Sequence, residues 1–348
     1  MIINKGYRKV LSIVLILMGM ILMNACSGPR EKSGDSEVLS AGEIERLSGS
    51  MDKIIPENAV IEVLDSGFTW SEGPLWLEEQ NMLIFSDVPN NIVYSYRESD
   101  SLRIYLEPSG YTDDGPGNGN SGSNGLVLSP KGDLVLCQHG DRRMARMRAS
   151  LDNPVPIFQT LADRYDGKRF NSPNDAVYDS EGNLYFTDPP YGLNEQDQDS
   201  AKELEFNGVF KLTPKGEVIL MTDGLSRPNG IALSPDEKKL YVANSDPENC
   251  IWMAYELSDD KTITNEAVLF DATSLFDGKN GVPDGMKVAS SGHIFATGPG
   301  GVLVLSPEGE HLGTIKTGEA TANCCFNTDE SILYMTAHNY LMRIKLKE

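Results

Sequence analysis

Short apolar runs come in pairs along most of this chain, each pair joined by a three-residue polar turn. LVLSP (126–130) and LVLCQ (134–138) flank Lys131-Gly132-Asp133, and AVYDS (176–180) and LYFTD (184–188) flank Glu181-Gly182-Asn183. IALSP (231–235) pairs in the same way with KLYVAN (239–244), and MKVAS (286–290) with IFATG (294–298). Period-two alternation marks strands with two different faces, and Gly, Asn and Asp tolerate tight-turn backbone. Each pair therefore predicts an antiparallel hairpin. In the first unit the pattern extends to four strands, Pro74–Leu77, Met82–Ser86, Ile92–Tyr96 and Leu102–Leu106. Four short strands with turns between them make one propeller blade.

An acidic or amide residue opens each unit: Glu72, Asn124, Asn174, Asn229, Asp284 and Asn323. Each second strand closes 14 or 15 residues later, at Asp87, His139, Asp188, Asn244, Gly298 and His338. Self-similarity on a scale of 39 to 55 residues predicts an all-β fold, a six-bladed β-propeller of four-stranded antiparallel blades, over residues 56–348. The sixth unit runs out of chain before its fourth strand. Ala59–Leu64 is expected to supply it, closing the ring and removing an exposed edge. Strand two returns antiparallel to strand one, so opening and closing residues share one end of the propeller. The openers should lie nearest the axis, with the closing residues forming a second shell at the mouth. Tyr111–Ser123, rich in Gly and Asn, and the acidic stretch Gly192–Asn207 are expected as mobile rims over the channel.

The first 25 residues follow a different rule. Lys5, Arg8 and Lys9 precede the apolar stretch Val10–Met23, which is too short to span a bilayer and reads as a signal peptide. It ends at Met23-Asn24-Ala25-Cys26, which resembles a bacterial lipoprotein cleavage box. Cys26 is thus the expected lipidation site. The mature chain would be exported and membrane-anchored through lipid only, facing the periplasm or the cell surface. Residues 26–55, rich in Ser, Gly, Glu and Lys, read as the lipidated Cys plus a flexible tether. The chain carries a formal net charge of −21 at pH 7, which argues against nucleic acid and anionic headgroups as partners. Cys137, Cys250, Cys324 and Cys325 lack zinc spacing and are expected as small buried hydrophobes. Nothing in the sequence signals oligomerisation, so a monomer is expected.

The chemistry concentrates in the openers. Glu72 and Asp284 place two carboxylates among amides at one depth of a narrow channel, where they need a cation or a shared proton. An all-oxygen set of Glu, Asp and Asn suits a hard divalent cation, Ca²⁺ first, with Mg²⁺, Mn²⁺ and Zn²⁺ as alternatives.

At these residues the chain resembles the SMP-30/gluconolactonase family of six-bladed propellers. The resemblance rests on SEGPLW (71–76), CQHGDRR (137–143), RFNSPNDAV (169–177), YFTDPPYGL (185–193), RPNGIALSPDEKKLYVANSD (227–246), PDGMKV (283–288) and ANCCF (322–326). It implies a metal held by Glu72, Asn229 and Asp284, with Asn174 beside it touching the ion or the substrate. It also implies a small-molecule sugar lactone as substrate and Asp284 as base or nucleophile. A metal-bound carboxylate is a weak base, so His139 is the second candidate for that role. Asn174 is expected to orient the substrate, with Asn124, Asp188 and Tyr191 at the channel mouth. Two other functions fit the same scaffold: phosphotriester hydrolysis, and a non-catalytic carbohydrate-binding propeller.

Overall fold

The computed structural model describes residues 40–114 and 117–347. The expected signal segment and Cys26 lie outside the described residues. Among those described, no helix is long and apolar enough to cross a membrane.

Six antiparallel sheets follow one another along the chain as blades of a propeller. Blade 1 runs through Ser71–Leu77, Met82–Asp87, Ile92–Arg97 and Ser101–Leu106. Blade 2 follows with Ser123–Leu128, Leu134–Gln138, Arg143–Met147 and Phe158–Ala162, and blade 3 with Ala176–Tyr178, Leu184–Asp188, Gly208–Leu212 and Val218–Thr222. Blade 4 comprises Pro228–Leu233, Lys239–Asp246, Asn249–Leu257 and Ile263–Asp271. Blade 5 comprises Met286–Val288, Ile294–Gly298, Gly301–Leu305 and His311–Lys316. Blade 6 has Thr321–Phe326, Ile332–Ala337 and Tyr340–Lys345, and its fourth strand is the early segment Glu62–Ser66, paired with Tyr340–Lys345. The ring closes as expected, the strand starting three residues later and ending two later than the apolar run suggests. Arg343 seals the seam by donating to Glu62 at 2.7 Å.

Period-two alternation builds the core. Leu134 and Leu136 pack with Leu77, Ile84 and Leu126 against blade 1, while Val135 and Cys137 face Phe186 and Phe210 of blade 3. Adjacent Cys324 and Cys325 likewise split, one toward Phe295 of blade 5 and the other toward Phe85 of blade 1. Each blade is a two-faced slab, and its side chains fill the wedge to either neighbour. The four described cysteines are buried free thiols, as the sequence suggests.

Two expectations change. Residues 40–55 are not all tether: Glu43–Arg46 adds a fifth strand to blade 5, and the turn of helix Met51–Ile54 follows it. In EIERLSGSMDKII the sparse apolar residues Ile44, Met51, Ile54 and Ile55 are spaced to meet one surface. Met51 and Ile55 are buried with Leu312 and Ile315. Gly313 admits this strand, because a Cβ there would lie 2.3 Å from the Glu45 carbonyl oxygen. The two rim loops, where described, are fastened to each other. Asn118 Nδ2 donates to the Gly192 carbonyl at 2.6 Å, and Asn120 Nδ2 to the Tyr191 carbonyl at 2.8 Å. Amide side chains satisfied in this way hold a wall in place.

Candidate active site

Five of the six openers line a single cavity of about 400 Å³ at the axis: Glu72, Asn124, Asn174, Asn229 and Asp284. Trp70, Pro89, Asn120, Tyr191, Ser245 and Val282 complete it. Asn323 is absent from the lining and lies beside Gly285, where a Cβ on the glycine would meet its side chain at 2.0 Å.

Local hydrogen bonds explain why the openers hold station. The hydroxyl preceding the close of one blade reaches an opening segment of the next. Ser86 donates to the Asn124 carbonyl at 2.8 Å, Thr187 to the Asn229 carbonyl at 2.6 Å and Thr297 to the Ala322 carbonyl at 2.8 Å. The closing residues brace the approach to their own openers. Asp87 accepts from the backbone N–H groups of Thr69 and Trp70, both at 3.1 Å. Asp188 accepts from Asn171 and Ser172, both at 2.7 Å, and Asn244 from Arg227 at 2.8 Å. Fixing a buried chain through its own N–H groups leaves the opener side chains free to serve the cavity.

The cavity is rich in acceptors. The Oδ1 atoms of Asn124, Asn174, Asn229 and Asp284 are buried without a hydrogen-bond partner, as is Oδ2 of Asp175 next to Asn174. Asn229 is turned by its own amide, whose Nδ2 donates to Ser245 Oγ at 2.9 Å and leaves Oδ1 over. Buried acceptors facing one space without donors are costly unless a donor or a cation meets them. Burial pushes the Glu72 carboxyl up to about 7, opposed by the Gly73 N–H and reinforced by the charge of Asp175. Asp284 is held well above the usual carboxylate range by burial and by the charges of Glu72 and Asp175. Carboxylates forced toward the neutral form by one another, among orphaned amide oxygens, fit a hard divalent ion. Glu72, Asn174, Asn229 and Asp284 are the residues that would hold it. No cluster of three His, Cys, Asp or Glu side chains of metal-binding geometry occurs among the described residues, so the amide oxygens are essential to such a set.

Two sequence candidates sit elsewhere. His139 is fully buried outside the cavity lining, packed against Gly192, where a Cβ would meet His139 Cβ at 2.9 Å. Burial pushes its imidazole down to about 4, which favours the neutral ring at pH 7, and the residue is absent from the lining. Asp188 is also absent from the lining: its carboxylate is spent on the Asn171 and Ser172 N–H groups, leaving nothing for a substrate. Tyr191 does line the cavity, with the Arg227 guanidinium 5.9 Å from its ring centroid.

Sequence reasoning missed Trp70, Pro89, Asn120, Ser245, Val282 and Asp175. Part of the signal was available: Trp70 and Val282 both stand two positions before an opener, and Ser245 directly follows a closing residue.

Known proteins resemble this chain throughout the propeller. The sequence profile of the SMP-30/Gluconolactonase/LRE-like region matches residues 70–339. A gluconolactonase of Zymomonas mobilis is 39% identical over 313 residues, which is 88% of this chain and 86% of that protein. A pentonolactonase of Haloferax volcanii is 25% identical over 283 residues, covering 80% of this chain and 84% of its own. The solved structure of a gluconolactonase from Xanthomonas campestris superposes with a TM-score of 0.76 at 29% identity, covering 89% of this chain and 97% of that one. With the site built from the same segments that carry the sequence match, this chain belongs to the SMP-30/gluconolactonase/LRE-like family.

Proposed function

We propose that this chain is a divalent-cation-dependent hydrolase of monocyclic sugar lactones, a carboxylic-ester hydrolase, with Ca²⁺ as the preferred ion. The observation that carries the reading is the meeting of the Glu72 carboxylate with the partnerless Oδ1 atoms of Asn174, Asn229 and Asp284 in one cavity of about 400 Å³. That volume suits a single sugar ring. The gluconolactonase and pentonolactonase relatives named above support the lactone as substrate.

When bound, a hard cation supplies a Lewis acid that polarises the lactone carbonyl and offsets the charge developing on its oxygen. The chain's own residues do the rest. Asn124 and Asn174 present amide groups to the ring hydroxyls and orient the carbonyl toward Glu72 and Asn229. Trp70 and Val282 wall the ring on either side and exclude bulk water. Asp284 is the basic group on the cavity surface, since His139 is sealed away. The Asp284 carboxylate takes a proton from the attacking water as the new C–O bond forms, then returns that proton to the ring oxygen as the lactone C–O bond breaks. The product is the open hydroxy acid, and no co-reactant beyond water is required.

The test is a panel of glucono-, galactono- and pentono-lactones, assayed with and without EDTA, beside an organophosphate triester. Lactone turnover that is lost on chelation and restored by Ca²⁺ is expected. Asp284→Asn should lower kcat by at least about 10²-fold, and Glu72→Gln should weaken the cation by about 10- to 100-fold. Turnover that survives both substitutions, or exhaustive chelation, refutes the mechanism. We also propose, from the sequence alone, that residues 1–25 are an export signal and that Cys26 is lipidated.

A further inference from the structure

One hydroxyl in the cavity wall joins the segments that carry Asn229 and Asp284. Ser245 directly follows the closing residue Asn244 on the second strand of blade 4, lines the cavity and is 2% exposed. Its backbone is anchored, since its N–H donates to the Arg227 carbonyl at 2.9 Å. Its Oγ meets two partners. It donates to the Pro283 carbonyl, in the segment that leads into Asp284 and blade 5, and it accepts from Asn229 Nδ2 at 2.9 Å. The other closing residues are followed by Val88, Gly140, Pro189, Pro299 and Asn339, so a hydroxyl at this place occurs only in the blade that carries Asn229.

The order of donors fixes the orientation of the amide. A serine hydroxyl has one hydrogen and two lone pairs, and a carbonyl oxygen can only accept. The hydrogen of Ser245 therefore goes to Pro283, and what faces Asn229 is a lone pair. A lone pair takes the N–H of the amide and repels its oxygen. Oδ1 is thus the end turned away, and it has no hydrogen-bond partner among the described residues. Rotating the amide end for end would set Oδ1 against Oγ with no hydrogen between them. It would also offer an NH₂ group to a cation that takes oxygen ligands. The backbone on either side is held independently. Thr187 of blade 3 donates to the Asn229 carbonyl at 2.6 Å, and the Asp284 N–H donates to the Thr297 carbonyl at 2.9 Å. What remains for Ser245 is the polarity of one side chain.

We propose that Ser245 is a positioning residue: its hydrogen held by the Pro283 carbonyl, it fixes the Asn229 amide with the oxygen toward the cation site. The inference rests on the cation-dependent reading above. Groups that orient a metal ligand in this way typically change metal affinity by about 10- to 100-fold when removed.

The experiment is calorimetric titration of the EDTA-stripped protein with Ca²⁺ alone, for wild type, Ser245→Ala, Ser245→Thr, Asn229→Asp and the double variant of Asn229→Asp with Ser245→Ala. Ser245→Ala should raise the calcium Kd by about 10-fold or more. Ser245→Thr keeps the hydroxyl and should bind like wild type. In Asn229→Asp the side chain has an oxygen at both ends, so no polarity is left to fix. Adding Ser245→Ala there should cost far less affinity than it does in wild type. A hydroxyl with only a packing role would lower the melting temperature and leave Kd unmoved. Ser245→Ala that folds and binds Ca²⁺ like wild type overturns the proposal. So does an equal loss with and without Asn229→Asp, or a loss in Ser245→Thr as large as in Ser245→Ala. If Ser245→Ala does not fold, Ser245→Cys decides, because a thiol fills the same place and is a weak donor and acceptor. A weakened Kd then supports the lock and an unchanged one overturns it. A wild-type protein without calcium affinity sinks the underlying functional reading as well, and that failure is visible in the wild type itself.

Discussion

Removing the cation should make stability fall as pH rises, in a window set by Glu72. Its carboxyl sits at about 7 in the fold against an ordinary 4.5, principally because burial disfavours the charged form. A folded-state value above the unfolded one means that the fold binds this proton more tightly. The contribution is therefore fully present below pH 4.5 and is lost as pH rises through about 7. The displacement corresponds to about 3 kcal/mol. For a domain of this size that lowers the melting temperature by about 6 °C. With excess Ca²⁺ the ionised carboxylate has a partner, and the decline should vanish or reverse. The assay is differential scanning calorimetry between pH 5 and 8, in EDTA and in 1 mM-scale CaCl₂, for wild type and Glu72→Gln. Asp188 is pushed up to about 7 as well, but it lies outside the cavity lining. The difference between wild type and Glu72→Gln in EDTA therefore reports Glu72 together with its charge coupling to Asp284. An EDTA profile that is flat or rising over this window, or equal slopes for the two proteins, refutes the reasoning.

Other consequences are open to simpler tests. Deleting residues 56–66 removes the strand Glu62–Ser66 that closes blade 6, and the truncated chain should show no cooperative melting by circular dichroism. Gly285→Ala and Gly230→Ala should differ in kind. The first places a Cβ 2.0 Å from the Asn323 side chain, which must swing off the Cys324 N–H to admit it, so urea denaturation should show a smaller loss than for the second. The second places a Cβ 2.1 Å from the Asp284 backbone oxygen, which cannot yield, and urea denaturation should show a loss of at least about 1–3 kcal/mol. If Cys26 carries lipid, the wild-type protein should partition into detergent and Cys26→Ser should remain aqueous.

The fold was legible because a propeller repeats its evidence. Six openers at regular spacing expose a ring that no single Asn-Gly would reveal, and five of them meet in one cavity. Three things were hidden. Residues 40–55 look like linker by composition, yet Ile44, Met51 and Ile55 suffice to dock them once Gly313 offers a surface without a Cβ. Asp175 looks like the second half of an Asn-Asp pair, and its burial against Gly125 of blade 2 is a property of the closed ring rather than of any segment. The glycine-rich loop suggests motion, but its Asn118 and Asn120 side chains find backbone carbonyls on the neighbouring loop.

The closing residues teach the sharper lesson. Hairpin geometry correctly places them at the same end as the openers, and from that they were expected to ring the mouth. Register decides otherwise. Asp87 pairs with Ser71, and Asn244 with Pro228, so each closing side chain lies beside the segment that leads into its own opener. That segment arrives with backbone N–H groups that have no strand partner, and a carboxylate or amide oxygen at the close satisfies them. Asp87, Asp188 and Asn244 are therefore acidic or amide for the sake of the backbone, whereas Glu72, Asn174, Asn229 and Asp284 are so for the cavity. The two sets look alike in sequence because both answer to buried charge. They separate only when one asks which of them still has an oxygen left over: Oδ1 of Asn174, Asn229 and Asp284 is free, and the carboxylate of Asp188 is not.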